Sequence, residues 1–228
     1  MLHIIQNDPE VPPGNLIEHL GAPYLVHHPY LDGLFPEMRN ITSLIVLGGA
    51  MGANDDLRHP FLTGVKQLIR RVVGADIPYL GICLGGQLLA ATLGAQVASQ
   101  RWEEIGTAQV ALTAAGSTDP LFAGISERFA TFQWHHDSFD LPEGATLLAS
   151  STRCPSQAFR VGRCAWGLQF HPEVTGEIIR DWCAWESSTR EATDAFVTEF
   201  SRHETGYRAV SRQLMKNFGS IGTAAEAP

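Results

Sequence analysis

Apolar residues along this chain alternate between two patterns. Short runs of strand length are separated by stretches in which apolar positions recur at helical spacing. The first pattern predicts strands over residues 2–6, 24–27, 43–47 and 78–82. The second predicts a short helix over 15–20, a longer one over 60–73 and another over 85–93. In the 60–73 helix, Phe61, Val65, Leu68, Ile69 and Val72 share one face. The middle of the chain reads differently. Short strand candidates at 109–112, 130–133, 145–149, 157–161 and 165–170 are separated by Gly, Pro and polar turns, the signature of antiparallel hairpins added to a parallel sheet. The tail from 177 to about 218 is mostly helical, and the end at Pro228 reads as frayed. Alternating strands and helices of these lengths predict a layered α/β fold.

Composition narrows the class. The 228 residues are 44% apolar and 18% charged, enough for a core that needs neither disulfide nor metal. The net charge of −8 argues against nucleic acid and against an anionic membrane surface as partners. No apolar run approaches the ~18 residues of a membrane span, and residues 1–6 read as a first strand rather than a signal peptide. The four cysteines, Cys83, Cys154, Cys164 and Cys183, lack zinc-ligand or CxxC spacing. Reduced thiols in a cytoplasmic protein are the expectation.

Cys83 stands apart from the other three. It sits in Gly81-Ile82-Cys83-Leu84-Gly85, between a predicted strand and a predicted helix. A G-x-C-x-G pattern there matches a nucleophile elbow with sulfur in place of hydroxyl. The turn must be tight, so its neighbours must lack side chains, and the following helix directs its positive N-terminal end at the sulfur. Taken alone, a cysteine at a helix start is as readily a small buried hydrophobe. The flanking glycines shift the balance.

A second signal follows the strand at 165–170. In His171-Pro172-Glu173, proline favours an extended residue before it, and residues two apart in an extended segment project to one side. His171 and Glu173 can then face the cysteine together, with Glu173 orienting the imidazole and His171 moving the proton. By itself an HPE is as well read as a turn with a helix cap. Both signals lie at predicted carboxyl ends of strands, where open α/β sheets place their active sites.

Together, GICLGGQ and GLQFHPE resemble the nucleophile and His-Glu motifs of the class I glutamine amidotransferases, a resemblance that extends over residues 1–190. It implies a flavodoxin-like three-layer α/β domain with a mostly parallel central sheet and an added antiparallel portion, followed by a helical extension over 191–228. It implies catalysis by Cys83, His171 and Glu173 with no cofactor and no metal. The Leu47-Gly48-Gly49-Ala50-Met51-Gly52 stretch resembles the family's glycine loop, which makes the Gly49 amide an oxyanion donor beside that of Leu84. Gln87 matches a position that contacts glutamine. Trp134, His135 and His136, with Asp137, resemble the segment holding the substrate's amino-acid end, and Gly52 joins them in the expected binding site. Two positions depart from the family pattern: His136 stands where Gly is common, and Ala50 where Pro is usual.

The expected substrate is glutamine or another γ-glutamyl compound. The chain carries no P-loop or ATP-grasp module, so a separate synthetase subunit is the expected consumer of ammonia. A homodimer is a base-rate expectation only. Two other functions stay open: a stand-alone γ-glutamyl peptidase, and a non-catalytic regulatory protein on the same fold. His135 and His136 with Asp137 make a poor chelate, because adjacent residues of an extended segment point to opposite faces. Trp102-Glu103-Glu104-Ile105 reads as a solvated turn in preference to an acidic pocket rim. Trp182, Trp185 and Phe196 are expected to pack the tail onto the sheet, and Cys154, Cys164 and Cys183 to be structural.

Overall fold

A computed structural model describes residues 1–224, so the expectation for the chain end at Pro228 lies outside the described residues. In chain order the elements are β1 (Leu2–Ile5), β2 (Tyr24–His27), α1 (Pro29–Asp32), β3 (Ser43–Val46), α2 (Phe61–Gly74), β4 (Tyr79–Ile82), α3 (Leu84–Thr92), β5 (Val97–Ala98), β6 (Glu104–Leu112), β7 (Arg128–His135), β8 (Ser138–Phe139), β9 (Thr146–Ser150), β10 (Ala158–Val161), β11 (Ala165–Leu168), α4 (Gly176–Trp185) and α5 (Thr193–Ala224). The nine-stranded main sheet runs in the order β2-β1-β3-β4-β11-β10-β9-β6-β7. Strands β2, β1, β3, β4 and β11 pair in parallel, and β10, β9, β6 and β7 continue antiparallel from β11. Strands β5 and β8 form a separate two-stranded ribbon that the hydrophobic pattern did not announce.

The sheet is buried on both faces, and the alternation of its side chains divides the core in two. Ile4, Ile45, Leu80, Ile82 and Trp166 face Leu214, Met215 and Phe218 of α5. Ile5, Leu44, Val46 and Tyr79 face Val65, Leu68 and Ile69 of α2 and Leu88 of α3. This is a three-layer, flavodoxin-like α/β fold with an antiparallel extension. The face of α2 is shifted slightly from the sequence reading, with Leu62 fully buried and Phe61 only partly so. Among the described residues no helix is long and apolar enough to cross a membrane.

Two adjacent parallel strands set the position of the site. The register pairs Ile82 of β4 with Leu168 of β11, and the Cys83 N–H continues that pairing by donating to the Leu168 carbonyl at 2.8 Å. The loops that follow both strands therefore open at one sheet edge, bringing Cys83 and His171 together from distant parts of the chain.

The turn after β4 fits only because its glycines lack side chains. A Cβ on Gly85 would lie 2.0 Å from the Val46 carbonyl oxygen, and one on Gly81 would lie 2.4 Å from the Gly85 backbone. Neither obstacle is a flexible side-chain end. Gly85→Ala is expected to cost about 2 kcal/mol or more in denaturant unfolding, at the upper end of overpacking penalties. Gly74→Ala, which meets nothing within 4 Å at the exposed end of α2, is expected to be neutral or stabilising by roughly 0.4–1 kcal/mol. Equal effects from the two substitutions would contradict this account.

Candidate active site

Cys83 is the residue before α3 and has φ 50° and ψ −107°. That backbone conformation is strained for any residue with a side chain and persists where packing enforces it. It lifts the sulfur above the first turn of α3, whose leading amides have no intrahelical partner. The Cys83 side chain is almost buried, at 6% exposure, yet it lines a cavity. Its thiol donates weakly to the Trp134 carbonyl at 3.9 Å and accepts from Gln169 Nε2 at 3.7 Å.

His171 lies beyond β11, held by its own N–H to the Phe132 carbonyl at 2.8 Å. Its Nδ1 is 2.5 Å from Glu173 Oε1, and both side chains are buried. Nε2 is buried and has no hydrogen-bond partner. Trp182 of α4 stacks edge-on against the ring at 4.9 Å. Gly48 explains how the imidazole reaches the sulfur. A side chain there would begin 3.2 Å from His171 Cε1 and 3.6 Å from Cys83 Cβ, so its absence leaves the two groups facing one another. Burial works against charge on His171, but the Glu173 carboxylate, with a further contribution from Cys83, outweighs it and raises the pKa well above the ordinary imidazole value. The sulfur acts on the ring through proximity, since Nε2 makes no well-formed hydrogen bond to it. A sulfur, an imidazole and a carboxylate in this relation can relay a proton between nucleophile and leaving group.

The other nominated residues surround this trio unevenly. Gly49, Gly52, Gln87, Trp134, His135 and His136 line the same cavity as Cys83 and His171. Leu84 does not, because its side chain is buried under the sheet; only its amide, at the start of α3, belongs to the site. Gln87 is buried, and its Nε2 donates to the Asp137 carbonyl at 3.1 Å, tying α3 to the 134–137 segment. His136 is half-buried between Glu103 and Glu186, at 3.3 and 3.2 Å.

Glu104 corrects the sequence reading. It is not in a solvated turn but 4% exposed in β6, paired in register with His135 of β7. Its Oε1 accepts from Ser151 at 2.8 Å, its Oε2 from Gln157 Nε2 at 2.5 Å, and His135 Nε2 lies 3.5 Å away. Glu104, His135 and Cys154 bring possible metal-ligating atoms within 4.8 Å of one another. The hydrogen bonds already made by both carboxylate oxygens favour a buried polar brace under the 134–137 segment over a metal site. Trp185 also departs from expectation: instead of packing the tail it is 53% exposed at the cavity rim. Phe196 and Trp182 do pack together with Trp134.

Sequence reasoning missed the clamp on the His-Pro-Glu loop. The Tyr207 hydroxyl, from α5, donates to the His171 carbonyl at 3.0 Å and accepts from the Val174 N–H at 2.7 Å. Burial, with Glu173 adding to it, pushes the Tyr207 pKa well above the usual phenol value, so the donor keeps its proton. From the other side the Asn15 N–H donates to the Glu173 carbonyl at 2.9 Å, and Ser211 donates to Asn15 Oδ1 at 2.8 Å. Nothing in the pattern of α5 separates Tyr207 from an ordinary core aromatic.

Residues 17–180 match the family model described as Glutamine amidotransferase class-I. The chain belongs to the class-I glutamine amidotransferase family. It is 33% identical over 187 residues to the glutamine amidotransferase-like protein YfeJ of Salmonella typhimurium, covering 81% of this chain and 77% of that one. Over 109 residues it is 44% identical to the glutamine-hydrolyzing GMP synthase of Thermomicrobium roseum. That match covers 47% of this chain but spans only 20% of the synthase. The crystal structure of a glutamine amidotransferase from Thermotoga maritima superposes with a TM-score of 0.86 at 29% identity, covering 96% of this chain and 97% of that one. As a class-I glutamine amidotransferase the protein is an enzyme, and the general reaction of such a domain is hydrolysis of the glutamine amide.

Two measurements follow from the His171 environment. Glu173→Gln removes the carboxylate that raises the imidazole pKa, so NMR titration of His171 is expected to move to lower pH; an unmoved titration would refute the assignment of cause. The sign for stability follows from the raised folded value: the contribution of His171 is complete below about pH 6.5, the unfolded value, and is lost as pH rises through the folded one. Tyr207→Phe strands the Val174 N–H and is expected to cost about 1–3 kcal/mol in chemical unfolding. An unchanged unfolding midpoint would show that the clamp is unimportant.

Proposed function

We propose that this amidotransferase hydrolyses γ-glutamyl amides, glutamine among them, through a thioester on Cys83. The observation that carries this reading is the His171 ring, fixed to Glu173 through Nδ1 and leaving Nε2 uncommitted beside Cys83 in a shared cavity. In the proposed sequence, sulfur attacks the γ-carbonyl carbon and the oxygen takes up charge. The amides of Gly49 and Leu84 receive that oxyanion; losing one such donor commonly costs ~2.7–4 kcal/mol in the barrier. His171 protonates the departing amine, breaking the C–N bond and leaving the γ-glutamyl thioester. Water then gives its proton to His171 and attacks the thioester, and glutamate leaves as the thiol is restored. Gln87, Trp134, His135, His136 and Gly52 are assigned to holding the amino-acid end: Trp134 through its carbonyl beside the sulfur, Gln87 and His135 by bracing the Asp137 carbonyl, His136 and Gly52 as cavity wall.

Residues 1–190 are taken as the amidotransferase domain and the segment from 191 as an extension within the same folding unit, a division supported by Leu214, Met215 and Phe218 sharing the core of the parallel sheet. By analogy with the GMP synthase relative, ammonia would pass to a synthetase supplied by another chain. A second reading, a stand-alone γ-glutamyl hydrolase with no ammonia acceptor, is favoured by the size of the cavity. At about 800 Å³ it lies in the upper part of the ~300–1,000 Å³ range of drug-sized sites, far more than glutamine fills.

Incubation with glutamine is expected to yield equal amounts of glutamate and ammonia. Cys83→Ala should abolish the reaction, and a diazoketone glutamine analogue should label Cys83 alone among the four cysteines, as read by mass spectrometry. Turnover by the alanine variant, or labelling elsewhere with Cys83 untouched, would sink the mechanism.

A further inference from the structure

The cavity wall has a charge balance that glutamine does not call for. Asp8, Glu10, Asp55, Asp137 and Glu186 all line it, and among the described residues no Lys or Arg does. The basic groups on the wall are His135, His136 and His171. His171 is committed to Glu173, and His136 lies between Glu103 and Glu186. Three of the five carboxylates have local partners. Asp8 accepts from the Glu10 and Ala50 amides, Asp55 from the Gly52 amide, and Glu186 faces His136. The Asp137 carboxylate, half-buried, has no hydrogen bond or ion pair, and neither has that of Glu10. Asp137 and Asp55 converge on one point: their Oδ2 atoms lie 3.4 and 3.3 Å from where a Gly52 side chain would begin. Indole rings add to this wall, with Trp182 buried and Trp185 exposed at the rim.

A γ-glutamyl head carries one ammonium and one carboxylate, so at most one of these acids is needed to balance it. The remainder faces the space left over once the head is bound. That space has a wall of uncompensated carboxylates and an exposed indole, which attract a cation electrostatically and through the ring face, and repel an anion.

We propose that the enzyme's preferred substrates are γ-glutamyl amides of di- or polyamines, in which the leaving amine carries a second, protonated nitrogen. Asp137, with Asp55 opposite, receives that distal ammonium, and Trp185 covers it from the rim. This rests on the thioester mechanism above. The γ-glutamyl C–N bond breaks, His171 supplies the proton to the departing nitrogen, and one water is consumed, so the products are glutamate and the free diamine with no other reactant.

The test compares kcat/KM for three amides of equal reach: γ-glutamyl-1,4-diaminobutane, γ-glutamyl-n-butylamide and γ-glutamyl-4-aminobutyrate. The cationic amide is expected to exceed the neutral one by about tenfold or more and the anionic one to be slowest, with the spread narrowing in high salt as exposed charges are screened. Asp137→Asn should collapse the cation-to-neutral ratio, and Asp137→Glu should restore much of it, which a merely structural role for Asp137 would not produce. Turnover of all three at similar rates, or preference for the neutral or anionic amide, with Cys83 still labelled by the diazoketone, overturns the inference and leaves the mechanism standing. Inertness of all three and of glutamine, with Cys83 unlabelled, overturns both.

Discussion

The structure turns on one strained residue. Cys83 adopts a positive φ that costs of order 1–3 kcal/mol in isolation. What holds it there is close backbone approach on three sides: β3 against Gly85, α3 against Gly81, and the carbonyl of Leu168 bonded to the Cys83 amide. The parallel pairing of β3, β4 and β11 supplies all of these contacts at once. Relaxing the turn would require separating strands whose side chains form the two halves of the core. The strain is therefore offset by the packing of the whole sheet, and the free amides at the start of α3 are the functional return.

The partner of that sulfur is held by a different economy of forces. A buried imidazolium–carboxylate pair gains its attraction only after both groups have lost water, and net stabilisation is not assured. In this fold the His-Pro-Glu loop does not depend on the pair for its shape. Tyr207 and Asn15 fix the backbone carbonyls of His171 and Glu173 from opposite sides, and a bridge to Phe132 fixes the His171 amide. The backbone is thus built by contacts that carry no charge, and the pair is free to be tuned for proton transfer. The long α5 helix, which reads in sequence as an appendage, is one arm of this clamp.

Legibility of the sequence followed the kind of burial involved. The strands β1 to β4 and β11 were readable because they bury apolar side chains on both faces, and the Cys and His-Glu motifs because the chemistry restricts which residues can stand there. Strands β6 and β7 were foreseen only at 109–112 and 130–133, whereas they run over Glu104–Leu112 and Arg128–His135. Their missed halves bury Glu104, Gln133 and His135, with Gln157 beside them, and polar residues that satisfy one another leave no hydrophobic trace. The same reason hid Glu104, which as an isolated acidic residue looks solvated. The clamp by Tyr207 was invisible for another reason: its partners are chosen by tertiary placement, which local pattern does not encode.

The charges of the cleft, considered together, form an axis. At the floor are the unpaired amides of the α3 start and the glycine loop, and an imidazole whose proton is stabilised by Glu173. Along the wall and towards the rim are carboxylates without basic partners, with Asp137 and Glu10 the least compensated. Such a field orients a dipolar guest in one sense, with developing negative charge towards the floor and positive charge towards the rim. For the amide proposed here the two ends act in concert, since the oxyanion forms at the amides while the distal ammonium stays among the carboxylates. After bond cleavage the leaving diamine gains a second charge, and its attraction to the wall draws it away from the thioester. Water can then take its place beside His171, so the same carboxylates that select the substrate also clear the position that deacylation requires.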